Sequence, residues 1–490
     1  MKNPTALSLN NRTIKVVLLV LVLGGALRSF ASCNVPPLKA FSGKDTSVSA
    51  LIQQYLVSGK INSILYYPKS VKRFYEPGNY QAAWVERQPN TKQTWEAMMA
   101  LDCVLQYGLS HNDYHPKELL YDPLHTMIEE PGKISNDKKA RFDILLTDAL
   151  INLMNNLHYG KLNPLYSAEK IDDGLALPFH AETALAAAKQ QSKLISAIAK
   201  AQPQCKQYQA MQDRMRILKG QKLEDCYEVP DTEVRKIAIN MERLRWAEID
   251  SKNYVEINIP AFMLKLHVLD TVYEFKVVVG KTTAQTPSLN SNITYFTTFP
   301  EWKIPQKILV NEIIPKALKN VDYMENSHFS IYDRAGNYIR ANKTNLLQVK
   351  RNPQLYYARQ SNGCDNALGQ LVFRFQNEYD IYLHDTPEQQ FFKRDVRTFS
   401  HSCIRVERAQ ELAGLLLKYD DNSSKIAVLD RAMKSHLTKN ITFRKPVPIK
   451  IVYLTCEVTD GVLIDYKDVY NLDKRLEMAL YGAPSALTEK

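Results

Sequence analysis

The spacing of hydrophobic residues changes once along this 490-residue chain, and the change divides it into two kinds of structure. In the first half, apolar residues recur every three to four positions, as in Phe142–Met154, which is typical of amphipathic helices. From Tyr254–Ile259 onward, short runs alternate apolar and polar residues, which is typical of strands. We therefore predict an α+β chain with a helical domain at residues 46–248, a β-rich domain at residues 252–472 and a short C-terminal tail at residues 473–490.

Several segments of the β-rich half give predictions that bear on the candidate site. Phe262–Val268 and Val272–Val279 are two strand-like runs separated by a short turn, which predicts a hairpin. Tyr379–Leu383 predicts a strand that ends just before His384. A helical run begins near Glu407, so we expect the residues before it to lie close to a helix N-terminus.

The N-terminus has the pattern of an export signal. Basic residues precede an apolar run, Val16–Leu23, that is short for a membrane span, and small residues follow at Ala31–Ser32. This order predicts a secretory signal at residues 1–33, with an uncleaved signal anchor as the alternative. Phe30–Cys33 also resembles a bacterial lipobox, which would make Cys33 a lipid-attachment site and a membrane tether. In each case we expect the rest of the chain in the bacterial periplasm or cell envelope.

Charge and cysteine content narrow the classes of partner and cofactor. The net charge is +11, but the basic residues are scattered rather than gathered in one block, so we predict no nucleic-acid partner. Seven cysteines leave at least one thiol lipidated, free or reactive, and Cys205 and Cys226 flank one helical stretch and are candidates to pair. No CxxC pair and no His/Cys cluster has zinc-ligand spacing, so we predict no metal and no other cofactor.

Cys403 lies in a local sequence that can activate a thiol. A cysteine becomes a good nucleophile when a nearby histidine, cation or helix N-terminus lowers the pKa of its thiol. His401 and Arg405 flank Cys403, and the spacing to His384 lets two loops bring an imidazole to the sulfur. The same pattern is also compatible with a small buried cysteine and a histidine that satisfies a local hydrogen bond, so local sequence alone leaves the choice open.

The run Ser400–Val406, with His384 upstream, resembles the signature of the L,D-transpeptidase (YkuD-type) catalytic domain, in which a histidine precedes a Ser/Thr-His-Gly-Cys run and an arginine. Further segments resemble the same domain, namely Val277–Lys281 with Thr286-Pro287, Trp302–Pro305, Asn366–Gly369, Tyr382–Pro387 and the strand around Tyr453. The resemblance covers residues 250–472. It implies a β-sandwich-like catalytic domain at residues 252–472, with a capping subdomain inserted at residues 308–359.

The helical half resembles the scaffold domain that precedes this catalytic domain in a large subgroup of the family. The matching segments are Tyr80–Trp84, Leu146–Leu150, Leu157–Lys161 with Asn163-Pro164, and Asn240–Trp246, which is similar to the exit helix. Members of the subgroup usually carry a small peptidoglycan-binding module before that helix, but Cys205–Asp231 is too short to hold one. We therefore expect a helical scaffold domain at residues 46–248 without a separate glycan-binding module.

The resemblance assigns roles to individual residues. Cys403 would be the nucleophile and His384 its proton donor and acceptor, acting on peptidoglycan stem peptides to form 3→3 crosslinks, with carbapenem β-lactams as covalent inhibitors. His401 would orient the catalytic loop. Arg405 would either bind a substrate carboxylate or brace the loop, and the sequence leaves both roles open.

One position departs from the family pattern. Ser402 stands where the family usually has glycine, a residue that often marks a left-handed backbone. Serine can adopt that conformation at a cost of roughly 1–2 kcal/mol, so we expect activity to be retained. Tyr382 and Trp302 would line the donor cleft, although a role as core aromatic residues explains them as well.

Other classes of function remain alternatives. The same acyl-enzyme could react with water, which would make the protein an L,D-carboxypeptidase that trims stem tetrapeptides. If Ser402 has collapsed the site, the chain would be a non-catalytic cell-wall-binding protein. A redox thiol protein is disfavoured because the sequence has no CxxC pair.

Overall fold

The computed structural model describes residues 46–85, 91–175, 177–221, 232–246 and 251–481. The predictions for residues 1–33 and for Cys226 lie outside these ranges. In the helical half, the described α-helices are α1 (Val48–Ser58), α2 (Pro68–Tyr75), α3 (Thr91–Asp102), α4 (Tyr121–Glu129), α5 (Asn136–His158), α6 (Ala168–Asp173), α7 (Ala181–Gln190), α8 (Leu194–Ala201), α9 (Lys206–Gln221) and α10 (Thr232–Trp246).

The central helix of this half is α5, which is 23 residues long. Its N-terminus is capped by the Ser135 hydroxyl, which accepts a hydrogen bond from the N–H of Lys138. Nearly every residue from Ala140 to Leu157 is buried, on all sides of the helix. A helix buried all round lies at the centre of its domain, and the other helices of the half pack around it.

Buried aspartates on α5 fix the loops around it. The carboxylate of Asp143 accepts hydrogen bonds from the backbone N–H groups of Ala83, Trp84 and Val85 at 2.7–3.0 Å. The carboxylate of Asp148 does the same for Tyr66 and for the residue that follows it, at 2.9 Å. These contacts satisfy polar groups that would otherwise be buried unpaired, and they position the segment that resembles the scaffold domain.

The C-terminal half is built mainly from strands. Its strands are β1 (Asn253–Asn258), β2 (Met263–Val268), β3 (Thr271–Gly280), β4 (Leu289–Thr298), β5 (Trp302–Ile304), β6 (Phe329–Asp333), β7 (Tyr338–Ile339), β8 (Tyr356–Gln360), β9 (Leu371–Phe375), β10 (Leu383–His384), β11 (Thr398–Ser400), β12 (Ile404–Val406), β13 (Lys439–Val452), β14 (Cys456–Thr459) and β15 (Val462–Asp465). Its helices are α11 (Gln306–Ile308), α12 (Ile314–Lys319), α13 (Asp322–Asn326), α14 (Lys343–Arg351), α15 (Ala409–Tyr419), α16 (Ile426–Lys434) and α17 (Asp473–Tyr481). The α+β prediction is confirmed.

Nine of these strands form one sheet in the order β11-β3-β12-β10-β9-β4-β13-β1-β2. Because β3 also pairs with β2, the sheet closes on itself. Strands β2 and β3 form the predicted hairpin. Apolar side chains from the sheet and from α15 form a single buried cluster. The predicted sandwich-like domain therefore takes the form of a closed sheet, and β10 and β12 lie side by side within it.

A separate small subdomain is inserted between β4 and β9. It has its own four-stranded sheet, in the order β5-β8-β6-β7, and its own buried cluster. Between α11 and α12 the chain forms one π-helical segment, Leu309–Ile313, so these elements run as one continuous helical stretch. This region contains the segment predicted as a capping subdomain, residues 308–359, and in the structure it begins earlier, because β5 pairs with β8.

The two halves share a third buried cluster. It joins apolar residues of α9 and α10 to residues at the end of β13 and in β14. Part of the segment predicted as a tail belongs to this contact, because α17 packs against α10, where Arg235 pairs with Glu477 at 3.1 Å and Arg243 with Asp473 at 2.6 Å. Residues 473–481 therefore form a packed helix.

Two predicted elements near the site have different bounds. The predicted strand Tyr379–Leu383 is shortened at its start, so that β10 begins only at Leu383 and includes His384. The side-chain oxygen of Asn377 accepts hydrogen bonds from the N–H groups of Tyr379 and Ile381, which folds the residues before β10 into a turn. The predicted helix near Glu407 begins at Ala409 instead. As a result, Cys403 immediately precedes a strand, β12, and not a helix N-terminus.

Candidate active site

Two short parallel strands bring the predicted catalytic residues together. In the pairing of β10 with β12, Leu383 lies opposite Ile404 and His384 lies opposite Arg405. Side chains alternate between the two faces of a strand, and Leu383 and Ile404 are buried in the core. The residues next to them therefore face away from the core, and Cys403 and His384 line the same cavity.

Cys403 lies where two cavities meet beneath the capping subdomain. The larger cavity has a volume of about 1150 Å³ and the smaller one about 570 Å³. Both are lined by Cys403, His401, Tyr382 and Trp302. His384, by contrast, lines only the smaller cavity. The half-buried thiol is thus accessible from two sides, and the imidazole faces one of them.

His384 is held in one tautomer. Its Nδ1 atom lies 2.6 Å from the backbone oxygen of Asp385. A carbonyl oxygen can only accept a hydrogen bond, so Nδ1 carries the proton and Nε2 is left to accept one. Burial, and to a lesser degree the nearby charge of Arg405, lower the pKa of His384 to about 3. The imidazole is therefore neutral near pH 7 and can act as a base.

The thiol is also neutral at rest. Burial raises the pKa of Cys403, and hydrogen bonds from the backbone N–H and hydroxyl of Tyr382 offset only part of this effect. A neutral imidazole can act as a general base and remove the proton of a neutral thiol while the sulfur attacks its substrate. Such a site does not need a preformed thiolate.

Ser402 adopts the left-handed backbone conformation that its position predicts, with φ of +71°. Its carbonyl accepts a hydrogen bond from the hydroxyl of Thr286 at 2.7 Å, and that hydroxyl in turn accepts one from the N–H of Gly280 at 2.9 Å. A Cβ atom at Gly280 would lie 2.1 Å from the carbonyl oxygen of Ala284, so only glycine fits there. These contacts link the loop before Cys403 to the end of β3 and to the turn that follows β3.

The substitution Ser402→Gly tests the strain in this loop. A left-handed backbone costs a residue other than glycine about 1–2 kcal/mol, and glycine removes that cost. Glycine also loses more conformational entropy on folding, which cancels about 0.5–1 kcal/mol of the gain. We expect Ser402→Gly to raise the free energy of unfolding by about 0.5–1 kcal/mol, measured by urea denaturation. Ser402→Ala is the matched control, because it retains the Cβ atom and should bring no gain.

His401 connects the catalytic loop to the capping subdomain. Its Nε2 atom donates to the carboxylate of Glu312 at 2.5 Å, and Glu312 lies in the π-helical segment of that subdomain. The Nζ atom of Lys281, at the end of β3, lies 3.7 Å from the same carboxylate. These contacts join three separate segments at the edge of the site. The role of His401 in orienting the loop stays a prediction.

Arg405 is already engaged within the protein. Its Nη1 atom donates to the carboxylate of Glu388 at 2.6 Å, and its guanidinium lies over the ring of Phe391 at 5.4 Å. Of the two roles left open by the sequence, these contacts favour bracing of the loop.

Tyr382 and Trp302 both lie at the junction of the two cavities. The ring of Tyr382 contacts that of His384 edge to face, with centroids 5.8 Å apart. Trp302 belongs to β5 of the capping subdomain and, like Tyr382, lines both cavities next to the thiol. Both aromatic residues therefore line the cleft in addition to packing against their neighbours.

Three charged residues of the site were not identified from the sequence: Glu312, Lys281 and Arg374. Glu312 and Lys281 reach the site from segments distant from His401 in the sequence, so their contacts there could not be predicted. Arg374 did carry a signal, because it is the single charged residue in the apolar run Leu371–Phe375. Its guanidinium lies over the ring of Tyr382 at 4.4 Å.

Within the described ranges, no group of three His, Cys, Asp or Glu side chains is arranged to hold a metal ion. Nor is any helix in this part of the chain long and apolar enough to cross a membrane.

The closed sheet, the cap and the cavity lined by Cys403 and His384 form a candidate active site. Comparison with known proteins makes this more specific, since residues 252–432 match the family described as the L,D-transpeptidase catalytic domain (YkuD) and residues 69–215 match the Scaffold domain. The chain therefore carries a YkuD L,D-transpeptidase catalytic domain that follows an N-terminal Scaffold domain. It is 30% identical over 248 residues to a protein of Haemophilus influenzae named "Putative L,D-transpeptidase". That alignment covers 50% of this chain and 49% of the relative, so the match spans about half the length of each.

Proposed function

We propose that this protein is a peptidoglycan L,D-transpeptidase that forms 3→3 crosslinks between stem peptides through an acyl-enzyme on Cys403. The observation that carries the proposal is the position of the thiol between two cavities, with His384 facing only one of them. A transpeptidase must hold an acyl donor on one side of its nucleophile and admit an amine on the side of its base.

In the proposed first half-reaction, the Cys403 sulfur attacks the carbonyl carbon between the third residue of a stem tetrapeptide and its terminal D-alanine. The thiol proton passes to Nε2 of His384. The tetrahedral intermediate then collapses, the C–N bond breaks, and the imidazolium returns the proton to the departing amine. The products are a thioester on Cys403 and free D-alanine.

In the second half-reaction, the side-chain amine of the diamino acid in a neighbouring stem attacks the thioester carbon. His384 takes a proton from that amine, the C–S bond breaks, and the proton returns to the sulfur. The new amide is the 3→3 crosslink. We propose that the backbone N–H groups of Ser402 and Cys403 stabilise the oxyanion in both steps, a role supported by the left-handed turn at Ser402, which aims successive N–H groups to one side.

The charges of the two cavities support this division between donor and acceptor. The larger cavity carries more basic than acidic side chains, which are Lys303, Lys307, Arg334 and Arg374 against Glu301 and Asp380. The smaller cavity carries more acidic than basic side chains, which are Glu312, Asp365 and Glu388 against Lys316 and Arg405. A stem peptide bears carboxylates and suits the larger cavity, whereas an incoming amine is a cation before it loses its proton and suits the smaller one.

The proposed reaction takes place on the cell wall, so it requires export from the cytoplasm. We therefore also propose that residues 1–33 direct the chain to the periplasm or envelope, with Cys33 as a lipid-attachment site. The support for this is the N-terminal sequence pattern.

The test of the proposed function is product analysis with the purified protein and disaccharide-tetrapeptide muropeptides. We expect mass spectrometry to detect dimers joined through two third-position residues, together with released D-alanine. Disaccharide-tripeptide monomers without dimers would show an L,D-carboxypeptidase instead. The absence of both products, with no mass added by a carbapenem, would show a wall-binding protein without catalysis.

A further inference from the structure

Arg374 places a positive charge beside the candidate nucleophile. It lies in β9, opposite Tyr295 of β4, and every other residue of that strand is buried and apolar. Arg374 itself is half-buried and lines the larger cavity together with Cys403 and Tyr382.

The guanidinium of Arg374 has unused hydrogen-bond donors. In the described part of the protein it forms no ion pair and donates no hydrogen bond, and its contact is with the face of the Tyr382 ring. Two other arginines near the site differ in this respect. Arg405 is paired with Glu388, and the side chain of Arg397 donates to three backbone carbonyl groups at 2.7–3.1 Å. Stacking on an aromatic ring leaves the donor edges of a guanidinium free to meet a planar anion.

The side of the thiol on which Arg374 lies indicates which part of the substrate it meets. Amines must leave and arrive on the side of His384, which is the smaller cavity. The acyl part of the donor, up to its third residue, then occupies the larger cavity. Resting on the proposed function, we infer that Arg374 binds a side-chain carboxylate of the donor stem peptide through a bidentate ion pair and thereby selects anionic stems.

The inference is tested with three tetrapeptide donors and two forms of the full-length protein. The donors are the native stem, a stem amidated at the free carboxylate of its second residue and a stem amidated at that of its third. We expect Arg374→Gln to raise KM for the native donor by about 10–100-fold, the range of a charge-assisted bidentate contact, with kcat changed only a few-fold. One of the amidated donors should show the same high KM in the wild type and no further rise in Arg374→Gln.

Two controls separate substrate binding from other effects of the charge. Lys439→Gln removes a positive charge from an exposed lysine of the same domain and should leave KM unchanged. Alkylation of Cys403 by iodoacetamide, an uncharged reagent, reports whether loss of Arg374 alters the thiol itself. Arg374→Lys retains the positive charge but cannot donate two parallel hydrogen bonds, so it should show an intermediate KM. It also replaces Arg374→Gln as the test variant if Arg374→Gln does not fold.

The outcomes are distinguishable. If the wild type forms no acyl-enzyme with any of the donors, the proposed function is wrong. If it does, but the ratio of KM between Arg374→Gln and wild type is the same for all three donors, the carboxylate contact is refuted. A loss confined to kcat, accompanied by slower alkylation, would also refute it and would show that Arg374 acts on the thiol.

Discussion

Replacing Cys403 by alanine is expected to abolish both acylation by carbapenems and the formation of crosslinked dimers. Among the described residues that line both cavities, Cys403 alone can form a thioester, and His384 cannot supply that bond. Loss of a nucleophile from such a site lowers turnover by at least about 10⁴-fold. Intact-mass spectrometry after incubation with a carbapenem, and product analysis with muropeptides, measure the two losses separately.

The matched control for this substitution is Cys364→Ala. Cys364 is a free and exposed cysteine in the same half of the chain, so it is more accessible to reagents than the half-buried Cys403. We expect Cys364→Ala to bind one carbapenem and to form dimers at the wild-type rate. A carbapenem adduct that persists in Cys403→Ala but disappears in Cys364→Ala would contradict the assignment of the nucleophile.

The presence of Cys403 and His384 in one cavity agrees with the resemblance to a known catalytic domain, whereas local sequence alone left their relation open. Each residue belongs to a short motif, and the resemblance to a known catalytic domain placed both motifs on one site. The hydrophobic pattern around Cys403 predicted a nearby helix N-terminus and did not indicate that Cys403 precedes a strand. The chain extends through Val406, and a left-handed residue, Arg408 with φ of +53°, separates that strand from α15. This conformation depends on pairing with β3 and β10, which are distant in sequence.

The charged contacts around the site could not be predicted for a related reason. Glu312 reaches His401 across 89 positions of the sequence, and only the fold of the capping subdomain brings them together. Arg374 is different, because a single arginine in an apolar strand is visible in the sequence. The sequence does not show that this arginine has no carboxylate partner in the described structure. Its proposed role in binding substrate rests on that observation.

The last helix, α17, could not be predicted either, because it depends on contacts with the helical half of the chain. The sequence after residue 472 has no strong pattern, so a tail was the natural prediction. The acidic side chains of Asp473 and Glu477 nevertheless pair with buried arginines of α10. Those arginines belong to the helical half, more than 200 positions earlier, and their need for partners becomes visible only in the folded chain.

Replacing His384 by glutamine is expected to lower the rate of acyl-enzyme formation by about 10²–10⁴-fold, the usual contribution of a general base. Glutamine retains a hydrogen-bonding group of similar size, but it cannot take the thiol proton. Single-turnover acylation by a tetrapeptide donor, followed by mass spectrometry, measures the effect. His125→Gln, at an exposed position in α4, is the control and should leave the rate unchanged.

The pH dependence of the same reaction tests the neutral thiol–imidazole pair. Burial lowers the pKa of His384 to about 3 and raises that of Cys403, so neither group changes its charge between about pH 4 and pH 8. The difference in absorbance at 240 nm between wild type and Cys403→Ala should therefore show no thiolate at neutral pH. A thiolate signal near pH 6 that His384→Gln removes would show an ion pair at rest and would contradict the neutral pair.

Protein stability gives a second readout for the same histidine. Its pKa is about 3 in the folded protein and about 6.5 when unfolded, so the unfolded chain binds more protons between these values. The contribution of His384 to stability is therefore complete above about pH 6.5 and is lost as the pH falls toward 3. The free energy of unfolding should decline less steeply over this interval in His384→Gln than in wild type. An unchanged slope would mean that His384 is accessible to protons in the folded state, and a base exposed in this way could not remain neutral in acid.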